Sequence, residues 1–219
     1  MIKAKQPPAG KPLGLKKGKV MLTGYNTKWP GLFNSEKKLL KATLGKLAIA
    51  ISHVGSTAVP GLCAKPILDI MVSVLSIEKA EKKISGFELC GYRVKSREED
   101  PIPGRLFFSK DMNGLRCFHL HVTEADSTFC KEHILFRNIL RKNPKTAQAY
   151  ARLKRRLSKM FPDDRNAYID GKAKFISGVL FEKFVKPKKS GKRARVDRAR
   201  SVCAGLQQLP PQKLFDIQG

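Results

Sequence analysis

Apolar positions recur along the chain at two spacings, and these predict the order of helices and strands. A spacing near 3.6 residues indicates helices, whereas short β-branched runs and alternating apolar and polar positions indicate strands. The predicted helices cover residues 29–50, 77–85, 127–141, 146–160 and 166–184. The predicted strands cover residues 67–75, 87–94, 105–109 and 116–123. This order predicts an α+β fold in which helices pack on a small mixed β-sheet.

Turn signals support three of the predicted boundaries. Asn113-Gly114 lies between the last two strands and is a strong hairpin signal. Asn143-Pro144 separates two predicted helices. The first helix is predicted to run directly into a turn at Gly55-Ser56.

Both ends of the chain differ from its middle in composition. Residues 1–20 combine three prolines and three glycines with six lysines and no acid, which predicts a flexible basic arm. Residues 186–219 carry a net charge of +7 and predict a basic, disordered tail. One domain is therefore expected over residues 21–185, and about half of the chain's net charge of +26 lies outside it.

This basic excess attracts polyanions, so nucleic acid is one predicted partner of the tails. The segment 186–200 has the composition of a nuclear-import cluster, and a solvated tail has the same composition. The five cysteines have no C-x-x-C spacing, which predicts free thiols in a reducing compartment. No apolar run is long enough for a membrane span. We expect an intracellular, cytoplasmic protein with no membrane partner, and the nucleus is the alternative location.

A short turn followed by a single buried acid is the main candidate for chemistry. Gly55 allows the backbone to pass close to a ligand, and Ser56 and Thr57 supply small hydroxyl groups. Twelve residues after Thr57, Asp69 lies within an apolar predicted strand. A carboxylate in that position needs a cation or an open cleft. The layout is typical of phosphate binding.

Two histidines share one face of a later predicted strand. Because side chains alternate along a strand, His119 and His121 project to the same side. If this strand neighbours the one with Asp69, the three side chains form a two-His-one-carboxylate set suited to Mn²⁺, Fe²⁺ or Zn²⁺. Alternatively, the histidines act as acid and base. The structural alternative is a pair of strand histidines bonded to backbone groups or to Asp69.

Several motifs together resemble the GrpB family, whose members have a nucleotidyltransferase-like fold. The resemblance covers roughly residues 20–184. Its most specific part is the run His53-Val-Gly-Ser-Thr-Ala-Val-Pro-Gly61. The other matching segments are Tyr25 to Pro30, Lys65 to Ile70, Arg105 to Phe108, His119 to Val122, Phe136-Arg137, Tyr150, Leu153-Lys154, Tyr168, Lys172 and Phe175-Ile176.

The resemblance implies a nucleotide or another phosphorylated small molecule as ligand. Nucleotidyltransferases commonly place two acids at i and i+2 on one strand to bind Mg²⁺. Here Met71 stands two residues after Asp69, so the metal carboxylates are incomplete. The implied cofactor is a divalent metal, Mg²⁺ or Mn²⁺, with Zn²⁺ and Fe²⁺ as alternatives.

Arg105 and four other basic residues match the family pattern, and these four would neutralise ligand phosphates. They are Lys65, Arg137, Lys154 and Lys172. Taken singly, each is also explained as a solvated charge on a helix face. Two functions follow from these observations. The first is a transferase of the nucleotidyltransferase type, and the alternative is a non-catalytic binding or accessory module, related to coenzyme A or associated with nucleic acid.

Overall fold

The computed structural model describes residues 13–185, and its strands form one five-stranded sheet. The strands are β1 (Ala48–Val54), β2 (Leu68–Val74), β3 (Arg93–Val94), β4 (Arg105–Met112) and β5 (Leu115–Glu124). Their order across the sheet is β1-β2-β5-β4-β3. β2 and β5 are parallel, and the other neighbours are antiparallel. The predicted mixed sheet and α+β class are therefore confirmed.

Six α-helices and two short 3-10 turns accompany the sheet in the described residues. The helices are α1 (Trp29–Leu44), α2 (Ile77–Glu81), α3 (Ile84–Leu89), α4 (Thr128–Lys142), α5 (Pro144–Met160) and α6 (Arg165–Val185). The side chains of Ser127 and Asn143 cap α4 and α5 by accepting backbone N–H groups. Within residues 13–185, no helix is long and apolar enough to cross a membrane.

The first predicted helix is too long, and an edge strand was missed. Helix α1 ends at Leu44, where Gly45 follows with φ of 55° and donates its N–H to the Lys41 carbonyl. Residues 48–54 then form β1 rather than the end of a helix. Their apolar residues fit both a helical and a two-residue spacing. The positive φ at Gly45 decides between them, because glycine adopts this conformation readily.

The segment between β2 and β4 also differs from the prediction. The helix predicted over residues 77–85 is divided into α2 and α3. Phe87 belongs to α3 instead of beginning a strand, and its ring packs on Phe108 with 4.6 Å between centroids. Strand β3 is reduced to Arg93–Val94. Packing of an apolar residue on the sheet thus overrides the strand propensity of this run.

The hairpin predicted from Asn113-Gly114 is confirmed. Asn113 has φ of 51° and Gly114 has φ of 73°, and the two residues join β4 to β5. Positive φ at both central residues is the signature of a type I′ turn. This turn sets the register that places β5 beside β4.

Hydrophobic cores lie on both sides of the sheet. One face packs on α1 through Trp29 and Leu40. The other carries Met71, which packs against Cys130 of α4. Beyond that face, α4, α5 and α6 form a helical core of their own, with Tyr150 and Tyr168 fully buried. The sheet face that bears Asp69 therefore faces the helices α4 to α6.

Residues 13–20, the last part of the predicted basic arm, contact strand β5 and the segment before α6. Leu15 is buried and forms an isolated β-bridge with Arg116 on β5. The backbone N–H of Val20 donates to the Pro162 carbonyl at 2.7 Å. Residues 13–20 thus belong to the folded domain. The predictions for residues 1–12 and 186–219 lie outside the described residues.

Candidate functional site

The parallel pairing of β2 and β5 brings Asp69 and His119 together. These residues are register partners, and His119 Nδ1 lies 3.0 Å from Asp69 Oδ1. Both side chains are almost fully buried. The sequence predicted their proximity only on the condition that the two strands are neighbours. The structure meets that condition.

The Gly-Ser turn closes directly over the Asp69 carboxylate. Gly55 has φ of 70°, and a Cβ built there would lie 2.2 Å from Asp69 Oδ2. The glycine therefore accommodates an acid of the protein itself, whereas the sequence suggested close approach to a ligand. The Ser56 hydroxyl accepts a hydrogen bond from Lys154 Nζ at 2.8 Å. The Thr57 hydroxyl shares a hydrogen bond of 2.9 Å with His53 Nε2.

Three of the four predicted phosphate-binding cations converge on Asp69. Lys65 and Lys154 are each 2% exposed, and Lys172 is 0% exposed. All three act electrostatically on the Asp69 carboxyl group. Lys154 also donates to the Cys63 carbonyl. The alternative interpretation of these lysines as solvated helix-face charges is wrong.

Two tyrosines and an arginine complete this lysine cluster. The ammonium groups of Lys172 and Lys65 lie 4.5 Å and 5.5 Å from the centroid of the Tyr168 ring. Lys154 lies 4.8 Å from the centroid of the Tyr150 ring. Such cation–π contacts stabilise buried ammonium groups. Arg165, at the start of α6, adds a fourth positive charge that the sequence analysis did not single out.

Burial shifts the pKa values of several groups in this cluster towards neutral pH. It lowers the pKa of Lys65 to about 7 and that of Lys154 to about 8. Burial also raises the pKa of Asp69 to about 8, although the surrounding cations oppose this shift. The pKa of His119 falls well below its usual value, because burial and nearby cations disfavour the imidazolium. Groups that titrate near the working pH are suited to proton transfer.

His121 does not join Asp69 and His119. Its register partner on β2 is Met71, and its ring stacks on Phe107 with 4.9 Å between centroids. Neither ring nitrogen has a hydrogen-bond partner among the described residues, and the side chain is 0% exposed. Burial holds its pKa well below the usual value, so the ring is neutral.

The predicted two-His-one-carboxylate set is consequently not assembled. Residues 13–185 contain no group of three or more His, Cys, Asp or Glu side chains placed to hold a metal ion. Asp69 and His119 alone supply two donors, and the thioether of Met71 is a poor ligand for Mg²⁺. Within residues 13–185, the residues present therefore do not fit the predicted divalent metal.

Arg137 lies apart from the lysine cluster. Its Nη1 donates to the His53 carbonyl at 2.8 Å, and its Nε and Nη2 donate to Asn138 Oδ1. Arg137 is not among the described cations that act on the Asp69 carboxyl group, which are Lys65, Lys154, Lys172 and Arg165. The sequence pattern could not distinguish Arg137 from the three buried lysines, because the direction of its side chain depends on how α4 packs beside β1.

Known proteins similar to this chain include proteins named GrpB. The family model described as GrpB protein matches residues 19–182. Glutamate-rich protein GrpB of Alkalihalophilus pseudofirmus is 37% identical over 174 residues, which are 78% of this chain and 99% of that protein. UPF0157 protein YqkA of Bacillus subtilis is 41% identical over 160 residues, which are 73% of this chain. The match spans only 46% of YqkA, about half of its length.

Solved structures give a consistent result. The crystal structure of conserved protein GrpB from Enterococcus faecalis has a TM-score of 0.68 and 35% identity, over 74% of this chain and 96% of that one. Structural neighbours also include the Cid1 poly(U) polymerase with MgGTP bound, at a TM-score of 0.49 and 14% identity. That likeness covers 78% of this chain and 59% of that one. With the family model matching residues 19–182, the chain belongs to the GrpB protein family.

Proposed function

We propose that the domain binds a phosphorylated small molecule, in the first place a nucleotide, at the lysine cluster beside Asp69. The observation that carries this proposal is the excess of buried positive charge. Two buried lysines, Lys65 and Lys154, lie near the one carboxyl group of Asp69, and a third, Lys172, also acts electrostatically on it. Burying an ammonium group without a counter-ion costs several kcal/mol. Phosphate oxygens would supply the missing negative charge through charge-assisted hydrogen bonds.

The depressed lysine pKa values indicate how such a ligand would change the site. Without an anion, Lys65 and Lys154 lose their protons near pH 7 and pH 8. A bound phosphate favours the ammonium form and raises both pKa values again. Binding therefore takes up protons from solution in this pH range. This proton uptake distinguishes a ligand-binding cluster from a structural one.

The Asp69–His119 pair gives the site a group that can move a proton. When Asp69 is ionised, it accepts the Nδ1–H of His119, which leaves Nε2 unprotonated. The negative charge of a bound phosphate would raise the pKa of His119 from its lowered value, and an imidazole in this tautomer could then take a proton from an acceptor hydroxyl as a general base. In the reaction we propose, that hydroxyl oxygen forms a bond to a phosphorus atom of the bound ligand, the phosphoanhydride bond of the same phosphorus atom breaks, and the remaining phosphate-containing part leaves as an anion whose charge the lysines neutralise.

The described conformation is closed, so ligand entry requires motion. Asp69 and His119 lie on the sheet, whereas Lys154 and Lys172 lie on α5 and α6. These side chains are between 0% and 4% exposed. A ligand can reach them only if α5 and α6 separate from the Gly-Ser turn. The hydrogen bond from Lys154 to Ser56 is the contact that such opening would break.

A second candidate function is binding without turnover. Met71 occupies the position two residues after Asp69 and packs against Val54 and Cys130. The site then holds one acid and one histidine beside the cations. Phosphate recognition needs only the cations, so an accessory module for a coenzyme A-related ligand remains the alternative. Nucleic-acid binding through residues 1–20 and 186–219 also stays a prediction.

A ligand screen by thermal unfolding of the full chain tests this proposal. The probes are ATP, UTP, coenzyme A and tripolyphosphate, each with and without Mg²⁺ or Mn²⁺. A ligand at a hundred times its dissociation constant adds about 2.7 kcal/mol of stability. We expect this gain in wild type and in Lys159→Met, an exposed residue on α5. The gain should be absent in Lys154→Met, where the charge next to Ser56 is lost.

The outcomes separate the two candidate functions. A shift that depends on Lys154, together with a new phosphorus-containing product by ³¹P NMR, supports the transferase. The same shift with the ligand recovered unchanged supports the binding module. No shift with any probe contradicts phosphate binding at the lysine cluster.

A further inference from the structure

A cavity of about 310 Å³ lies beside strand β1, away from the buried lysine cluster. Val54 is the register partner of Asp69, so the adjacent His53 projects to the opposite face of the sheet. On that face His53 stacks on Phe33 of α1 with 4.9 Å between ring centroids. Both aromatic rings line the cavity. A volume near 300 Å³ lies at the lower end of the range for small-molecule sites.

Two arginines of α4 define the polar side of this cavity. Arg137 and Arg141 are four residues apart, so they lie on one face of the helix. Arg137 is anchored by the His53 carbonyl at 2.8 Å. Arg141 donates from Nε and Nη2 to the Ala58 carbonyl at 2.8 Å and 2.6 Å. The two guanidinium groups are thus held in fixed positions at either end of the Gly-Ser turn.

The positive charge of this pair is not balanced within the cavity. The twelve described residues that line it include no Asp or Glu. The side-chain partner of Arg137 is the neutral amide of Asn138. Burial and the charge of Arg141 lower the pKa of Arg137, as expected for two cations that repel each other. Burial and the same two arginines lower the pKa of His53 to about 3, so His53 is neutral.

Donors remain available for a ligand. A guanidinium group has five N–H donors. The hydrogen bonds of Arg137 and Arg141 within residues 13–185 use three and two of them. Arg141 is exposed and Arg137 is half-buried, so both are accessible from solvent. The fork of N–H donors on a guanidinium group matches the spacing of oxygens in a phosphate or carboxylate.

The rest of the cavity wall combines apolar and aromatic side chains, among them Tyr25, Pro30 and Phe33, with the polar side chains of Asn34, Ser52 and Thr57. We propose that this cavity is a second binding site, for a small molecule with a phosphate or carboxylate group on a planar apolar body. Arg137 and Arg141 bind the oxyanion, and the rings of Phe33 and Tyr25 contact the body. This proposal does not depend on the function proposed for the lysine cluster.

Isothermal titration calorimetry of the full chain tests the second site. The probes are phenyl phosphate and benzoate, with phenol as the uncharged analogue. We expect at least one of the two anions to bind, and phenol to bind at least tenfold more weakly. Arg141→Gln and Arg137→Gln should each weaken anion binding at least tenfold. Arg152→Gln, at an exposed position on α5, should leave it unchanged, and Lys154→Met identifies any part of the binding that belongs to the lysine cluster.

The two anions also identify the oxyanion that the site prefers. If neither anion binds wild type, or if Arg141→Gln binds both as tightly as wild type, the proposal is overturned. Loss of binding in Lys154→Met with no loss in Arg141→Gln would assign the anion to the lysine cluster and overturn it too. Because Arg141 is exposed, Arg141→Gln decides the question even if Arg137→Gln fails to fold.

Discussion

The backbone of Gly55 contacts the carboxyl group of Asp69 so closely that no side chain fits between them. A Cβ at residue 55 would lie 2.2 Å from Oδ2 and 3.0 Å from Cγ of Asp69. Asp69 cannot move away easily, because its Oδ1 is bonded to His119 Nδ1 at 3.0 Å. The glycine thereby fixes the position of the acid around which the lysine cluster is built.

Gly55→Ala should therefore destabilise the domain by about 2–5 kcal/mol, from the strain of a positive φ and the clash with Asp69 together. The matched control is Gly61→Ala. Gly61 has a similar φ of 77°, and a Cβ there would have no neighbour within 4 Å. The control should lose only about 1–2 kcal/mol. Urea unfolding measures both values, and equal losses in the two variants would contradict the close contact.

Much of the fold could be predicted because its signals are local. Asn113-Gly114 predicted the β4–β5 hairpin, and Ser127 and Asn143 mark the starts of α4 and α5. Strand β1 was missed because residues 48–54 fit two periodicities, and only the positive φ of Gly45 separates the strand from the helix. The short helix that contains Phe87 was missed because packing against Phe108 decides its conformation.

The part of the candidate site that depends only on strand register could be predicted from the sequence. Asp69 and His119 meet because β2 and β5 are neighbours in parallel register. His121 projects to the same face of the sheet as His119. It lies two residues further along the strand, however, and its neighbours there are Met71 and Phe107. The separation of Arg137 from Lys154 depends on helix packing. The spacing of residues in the sequence does not predict how these helices pack.

Replacing Lys65 with Met should reveal whether the lysine cluster serves a ligand. In the absence of phosphate we expect Lys65→Met to be unchanged or more stable by about 1–2 kcal/mol, because a buried cation near Arg165 is removed. Asp69 keeps Lys154 and Lys172 as counter-ions. Lys28→Met, at an exposed position, is the control for the loss of a lysine.

Chemical denaturation in a phosphate-free buffer measures this effect. If Lys65 were the structural counter-ion of Asp69, its removal would leave a buried charge unpaired and cost about 3–5 kcal/mol. A loss of that size would show that the lysine cluster stabilises the fold rather than binding a ligand. An unchanged or raised stability, combined with lost phosphate binding, is the pattern expected when binding residues are not optimised for stability.

The stability of the domain should depend on Lys154 above neutral pH. The folded pKa of Lys154 is lowered from 10.5 to about 8. Between these values the unfolded chain binds one more proton than the folded domain, so this group makes stability rise with pH. Its contribution is complete above about pH 10.5 and is lost as pH falls through about 8.

The measurement is the free energy of unfolding from pH 7 to pH 10.5 in wild type and Lys154→Met. Relative to the variant, wild type should gain up to about 1.4 kcal/mol per pH unit between pH 8 and pH 10. Lys159→Met, at an exposed position on the same helix, should keep the wild-type slope. Parallel curves for wild type and Lys154→Met would show that the Lys154 pKa is not lowered in the folded domain.

His121→Leu should leave the stability of the domain unchanged or raise it, whereas His119→Leu should lower it. Both ring nitrogens of His121 are buried without a hydrogen-bond partner among the described residues. Replacing such a group by an apolar side chain of similar volume removes a desolvation penalty. In His119→Leu, the Asp69 carboxylate loses the hydrogen bond to Nδ1. Leaving a buried polar atom without its hydrogen-bond partner costs about 1–3 kcal/mol.

Guanidinium unfolding of the two variants, followed by the ligand screen, provides the comparison. We expect His121→Leu to retain the phosphate-dependent thermal shift, because His121 stacks on Phe107 and does not contact Asp69. His119→Leu should retain phosphate binding through the lysines and lose any transferase activity, since the proposed base is gone. Loss of both binding and activity in His121→Leu, with folding intact, would place His121 in the site and show that β5 contributes both histidines.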